Sequence, residues 1–111
     1  MNEKRKDSKI IGELNMFLLS HNYHNYNIDV NYNNEKLLIK IFIDYIKEDD
    51  LEYLLKELNT RRNESYEEYG WESLCENDGF NGLYCIGLLV DDCTYEKKDN
   101  KYIITIERNF I

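Results

Sequence analysis

The chain has 111 residues, 42% hydrophobic and 32% charged, with a formal net charge of −8 and no proline. That length suits one small domain whose core needs no disulfide or metal staple, and the composition excludes wholesale disorder. No apolar run approaches the ~20 residues of a membrane span, and the negative charge opposes nucleic acid and anionic membranes alike.

Residues 1–7 read as a mobile basic tip of a single domain spanning residues 1–111. Ser8 is placed to cap a first helix that runs to about His21. Ile10, Ile11, Leu14, Phe17 and Leu18 give that helix one apolar stripe. The stretch Ile10–Leu19 contains Gly12, Glu13 and Asn15, so it reads as a helix rather than a signal peptide, and the chain is expected in the cytosol. Asn22 or Asn25 can end the helix, because Asn tolerates the left-handed conformation.

A hairpin follows. Tyr26, Ile28, Val30 and Tyr32 alternate with Asn27, Asp29 and Asn31, the period of a strand with one wet face. Asn33-Asn34 is expected to turn the chain through positive φ. Leu37–Ile46 is nearly all apolar, as in a central strand. Leu37, Ile39, Ile41, Ile43 and Tyr45 would share one face, and Leu38, Phe42 and Ile46 the other.

The second helix is expected to open at Asp49, with Glu52 completing a capping box. Leu51, Leu54, Leu55 and Leu58 form its buried stripe and acids its outer face. Arg61 and Arg62 would occupy its last turn, with a stop near Asn63. In residues 69–76, Tyr69, Trp71, Ser73 and Cys75 could share one face of a strand, with Glu72 and Glu76 opposite. Asp78-Gly79 and Asn81-Gly82 are turn signals. Leu83–Val90 reads as a further strand that kinks at Asp91-Asp92 and continues through Tyr95. Lys98-Asp99-Asn100 is a hairpin turn. In the last strand Tyr102, Ile104, Ile106 and Arg108 alternate with Ile103, Thr105 and Glu107.

The order α-β-β-α-β-β-β, with a helix before each hairpin, predicts an α+β two-layer sandwich: an antiparallel sheet with helices on one face. The expected core is Leu37, Ile39, Ile41, Ile43, Leu54, Leu55, Leu58, Ile86, Leu88, Ile104 and Ile106. Ile11, Leu14 and Leu18 join it from the first helix.

The charge is unevenly distributed along the chain. Residues 44–78 hold twelve acids against four bases, so this third of the chain carries the whole net charge. Within it, Glu64–Glu76 reads ESYEEYGWESLCE, with no lysine or arginine and the only tryptophan. Aromatics between acids suit a binding surface, since Tyr and Trp dominate interface energetics. The expected partner-binding residues are Glu64, Tyr66, Glu67, Glu68, Tyr69, Trp71 and Glu72. Their complement is a basic protein surface, such as the nucleic-acid groove of a nuclease or toxin. In size and charge the chain is similar to small acidic inhibitors of anti-CRISPR, nuclease-inhibitor or toxin-immunity type. That likeness is compositional and rests on no residue motif.

Other chemistry finds little footing. His21 and His24 form an H-x-x-H, but Cys75, Cys85 and Cys93 stand singly, without paired zinc-ligand spacing. Cys75 lies among Glu72, Glu76 and Asp78, which would blunt a thiolate. The glycines form no phosphate-binding loop. The adjacent acids Asp49-Asp50, Glu67-Glu68 and Asp91-Asp92 read as solvated. The expectation is a non-enzymatic module with no metal, cofactor, membrane or direct nucleic-acid partner. The alternative is a small-molecule-sensing or regulatory domain with a pocket between helices and sheet, lined by Trp71, Tyr84 and Cys85. The sequence does not specify an oligomeric state.

Overall fold

The structure, a computed structural model, describes residues 3–60, 62–69 and 82–110. Helix α1 spans Glu3–Ser20. It starts five residues before Ser8, so Ser8 is not its cap: nothing in EKRKD breaks a helix, and Asp7 is held inside by Arg108 (below). Ile10, Leu14, Phe17 and Leu18 are buried along one stripe, while Ile11 is only partly buried. The helix stops where expected. Asn22 adopts φ 68°, Asn22 N–H donates to Leu19 O at 3.0 Å and Tyr23 N–H to Leu18 O at 2.9 Å. This is the left-handed stop of a Schellman motif.

Strands β1 (Tyr26–Tyr32) and β2 (Lys36–Ile43) form the first hairpin. Its turn does not use positive φ. Instead Asn33 Oδ1 accepts hydrogen bonds from the backbone N–H groups of Glu35 and Lys36, at 2.7 and 3.0 Å. The side chain closes the turn, as Asn often does. Strand alternation ends at Ile43, so Tyr45 faces water and Ile46 is buried, the reverse of the expected assignment.

Helix α2 spans Glu48–Leu58, with Leu51, Leu54 and Leu58 buried. Leu55 is only partly buried and packs against the core from its side. The capping box does not form. The cap position is Lys47, whose side chain makes no capping bond, and its N–H is taken by the Tyr23 hydroxyl at 2.8 Å. Glu48, Asp49 and Asp50 in the first turn still face the positive end of the helix dipole. The helix ends short of Arg62. Asn59 N–H donates to Leu55 O at 3.0 Å, and the Asn59 side chain turns toward Cys93.

Among the described residues two short helices follow: α3 (Glu64–Tyr69) and α4 (Gly82–Gly87). Helix α4 replaces most of the strand expected over Leu83–Val90. A short apolar run fits a buried strand or a buried helix equally well by pattern alone. Here the run fills the helix layer, packing against both α1 and α2 and burying Leu83, Cys85 and Ile86. Gly87 permits the contact, since a β-carbon there would collide with the carbonyl oxygen of Glu57 on α2. Leu88 is half-buried, while Leu89 and Val90 complete the core. Tyr69 closes α3, and the rest of the strand expected over residues 69–76 lies outside the described residues.

Strands β3 (Asp92–Lys98) and β4 (Lys101–Asn109) form the second hairpin. Asp99 and Asn100 turn it with φ of 53° and 64°, a two-residue turn of the kind that matches strand twist. The sheet runs β1-β2-β4-β3, antiparallel throughout. Leu37, Ile39, Ile41 and Ile43 of β2 and Ile104 and Ile106 of β4 face the helices and are buried. Leu38, Lys40 and Phe42 are half-buried on the opposite face. Among the described residues the architecture is the expected α+β sandwich, with four antiparallel strands and the short helix α4 in place of the first part of the strand expected over Leu83–Tyr95. Among the described residues, no helix is long and apolar enough to cross a membrane.

Candidate functional site

The acidic stretch begins on α3, anchored by two backbone bonds: Asn63 N–H to Leu88 O and Glu67 N–H to Asn63 O, each 3.0 Å. Glu64 and Glu67, three residues apart on α3, differ in burial. Glu64 is exposed, whereas Glu67 is 7% exposed. Glu67 therefore leaves the expected partner-binding surface. The side chains of Tyr66, Glu68 and Tyr69, and the residues Trp71 and Glu72, lie outside what the structure describes.

Glu67 turns inward to meet Arg108, which is 1% exposed on the core face of β4. Arg108 Nη1 donates to Glu67 Oε1 and Nη2 to Glu67 Oε2, each at 3.1 Å, a two-point fork. Arg108 Nη1 also donates to Leu89 O at 2.6 Å, and its Nε lies 3.6 Å from Asp7 Oδ1 on α1. Arg62 adds a second guanidinium, with Nε donating to Glu67 Oε1 at 2.6 Å and Nη1 to Asp91 Oδ2 at 2.8 Å. Lys6 Nζ approaches Glu67 Oε2 at 3.5 Å. Three cations and three carboxylates thus bind α1, α3 and β4 into one unit. Arg62 is there because it leaves α2 rather than ending it.

Burial alone would raise the Glu67 carboxyl. Hydrogen bonds from Arg108 and Arg62 outweigh it and hold the pKa down at about 2, against an ordinary value of 4.5. A depressed carboxyl contributes stability that is complete above its unfolded pKa and is lost as pH falls through its folded one. Acid titration of unfolding free energy should thus show a loss on the order of 3 kcal/mol between about pH 4.5 and pH 2. Glu67→Gln should remove most of that acid limb.

The sequence signal for this network was an arginine two residues beyond Ile106, on the core side of the alternation. A charge at such a position is almost never buried without a partner.

Another part of the same acidic segment is on the surface. Asp44, Tyr45, Glu48, Asp49, Glu52 and Tyr53 are all exposed, along the loop after β2 and the outer side of α2. Tyr45 is 63% and Tyr53 39% exposed. The buried stripe Leu51, Leu54, Leu58 fixes this face, because it turns positions 48, 49, 52 and 53 outward. The acidic outer face was readable from the sequence. The tyrosines interleaved with it lie outside the expected partner-binding set, although Tyr53 follows Asp49 by four residues.

Beside this face Tyr23, Asp50 and His21 form a polar chain. The Tyr23 hydroxyl donates to Asp50 Oδ2 at 2.6 Å, and His21 Nε2 lies 3.9 Å from Asp50 Oδ1. Burial, and then the bond to Asp50, push the Tyr23 phenol up to about 12. Tyr23 therefore stays protonated and serves as a strut between α1 and α2. A cleft of about 270 Å³ opens between α1, α2 and α4, lined by Glu13, Phe17, His21, Tyr53 and Leu83 among others. Tyr84 is 42% exposed and Cys85 is buried, and neither lines this cleft.

His24 is exposed and apart from this chain. Burial, aided by Asp92, drives the Cys93 thiol up to about 12, which removes it as a nucleophile at neutral pH. Among the described residues no three His, Cys, Asp or Glu side chains converge as a metal-ligand set. Comparison of the chain with protein-family models, curated proteins and solved structures finds no match.

Proposed function

We propose that the chain is a non-enzymatic, cytoplasmic protein-binding module that covers a basic surface of a partner protein, as a stoichiometric inhibitor or adaptor. The nucleic-acid groove of a nuclease or toxin is such a surface. The observation that carries this reading is the outer side of α2 with its lead-in loop. Four exposed acids on or beside one helix are interleaved with two exposed tyrosines. Acids of one sign steer a cationic surface from a distance, and rigid aromatic rings supply contact area once it arrives. Glu64 extends the acidic set beyond α2 on the described part of α3.

The test is affinity capture from native cytosol with the wild-type chain and with a Glu48→Gln/Glu52→Gln variant. A basic protein retained in stoichiometric amount by the wild type, and lost or sharply reduced with the variant, is the expected result. Equal retention by both would place the interface elsewhere. Recovery of a small molecule in the cleft beside His21 and Tyr53, with no protein retained, would favour the sensing alternative instead.

A further inference from the structure

The two edges of the sheet are built differently. The outer edge of β3 is blocked. Asn59 Nδ2 donates to Cys93 O at 2.8 Å, and Cys93 N–H donates to Asn59 Oδ1 at 3.0 Å. The carboxamide thus mimics a paired strand at that position. The same strand carries Asp92, Glu96, Lys97 and Lys98, charges that discourage edge-to-edge pairing.

Among the described residues no side chain caps the outer edge of strand β1 in this way. The strand has seven residues, an unbroken register with β2, no proline, no lysine and one charge, Asp29. Asn33 N–H donates to its opposite residue Lys36 at 3.1 Å, which fixes the phase of the ladder. Alternation then gives the inward bonds to Asn31, Asp29 and Asn27 and turns the backbone groups of Ile28 and Val30 outward. No described residue pairs with those outward groups. Val30 and Tyr32, on the helix side of this edge, are 42% and 51% exposed.

We propose that β1 pairs antiparallel with β1 of a second copy of this chain, about a two-fold axis at Val30, to make a continuous eight-stranded sheet. Side-chain chemistry disfavours the adjacent register. A two-fold perpendicular to the sheet sets residues of like face opposite one another. Centred on Asp29 it would place two carboxylates face to face. Centred on Val30 it sets Val30 against Val30 and Ile28 against Tyr32 on the helix side. On the other side it sets Asp29 against Asn31, whose amide can donate to the carboxylate. The outward N–H and C=O groups of Val30 then meet their own counterparts, as a hydrogen-bonded pair requires. The one charged residue of β1 is Asp29, so this register sets no two like charges directly opposite each other within the strand pair.

Sedimentation velocity of the full chain across a concentration series tests this. The wild type is expected to pass from monomer to dimer as concentration rises. Val30→Lys and Val30→Glu, at a surface edge position, should each remain monomeric with unchanged circular dichroism. Mixed in equal amounts, the two variants should dimerise again, since opposite charges then face each other across the axis. A wild type that stays monomeric at every concentration would overturn the proposal and leave the edge to an extended segment of another protein. A dimer that survives Val30→Lys would also overturn it, and a mixture that fails to recover would overturn the register. None of these outcomes depends on the acidic face of α2.

Discussion

Replacing Arg108 by methionine is expected to destabilise the fold by about 3–5 kcal/mol. The side chain is 1% exposed and holds both Glu67 oxygens, the Leu89 carbonyl and, at longer range, Asp7. Methionine matches much of its volume, so the loss comes from charge rather than from a cavity. Glu67 and Asp7 would remain buried with fewer countercharges, and a buried carboxylate without a partner is costly. Urea unfolding with linear extrapolation gives the number. Adding Glu67→Gln to Arg108→Met should restore part of the loss, because it removes one stranded charge. A loss below about 1 kcal/mol for Arg108→Met would mean that water reaches the network and compensates it.

Leu54→Ala is the second large effect, at about 2–5 kcal/mol. Leu54 is fully buried in the middle of α2, so truncation removes its own transfer free energy and leaves a void. Leu55→Ala one residue on should cost clearly less, since Leu55 is only partly buried and its neighbourhood can be filled by solvent. Paired thermal or urea unfolding of the two variants checks the register of α2. Equal losses would mean that the helix is rotated from the orientation described.

Much of the fold was legible in the residues. Alternation located β1, β2 and β4, the apolar stripes located α1 and α2, and Asn22 and Asp99-Asn100 marked a helix stop and a hairpin turn by their tolerance of positive φ. The misses have physical causes. Leu83–Val90 carries no charged or amide side chain to betray its period, and its helix is set by tertiary packing against α1 and α2, whose close approach Gly87 permits. The capping box at Asp49 and Glu52 lost to a tertiary contact, the Tyr23 hydroxyl on Lys47 and Asp50. Ser8 could not cap a helix whose preceding turn is held by the pairing of Asp7 and Lys6 with the ionic network.

The candidate site was legible in charge but not in direction. Composition placed the acids in residues 44–78 and the leucine stripe turned those of α2 outward, but no such stripe gave the direction of Glu67. Glu67 looks like any other member of the EEY run, and only the arginine hidden in the alternation of β4 draws it inside. Conversely, Tyr45 and Tyr53 stand outside the stretch with the highest acid density, yet the leucine stripe of α2 and the end of β2 at Ile43 set both on the surface.

The most direct measurement is the association rate of the chain with its captured basic partner at low and at physiological ionic strength. Exposed charges act over the Debye length of ~8 Å at physiological salt, so steering by the α2 face must weaken as salt rises. The wild type is expected to associate fast at low salt and to slow as salt is added. Glu48→Gln/Glu52→Gln should associate more slowly, with a flatter salt dependence and nearly unchanged dissociation. Tyr53→Ala should do the opposite, dissociating faster while associating at the wild-type rate. Wild-type rates and salt dependence in both variants would contradict the account, because a face that merely keeps the chain solvated touches no partner.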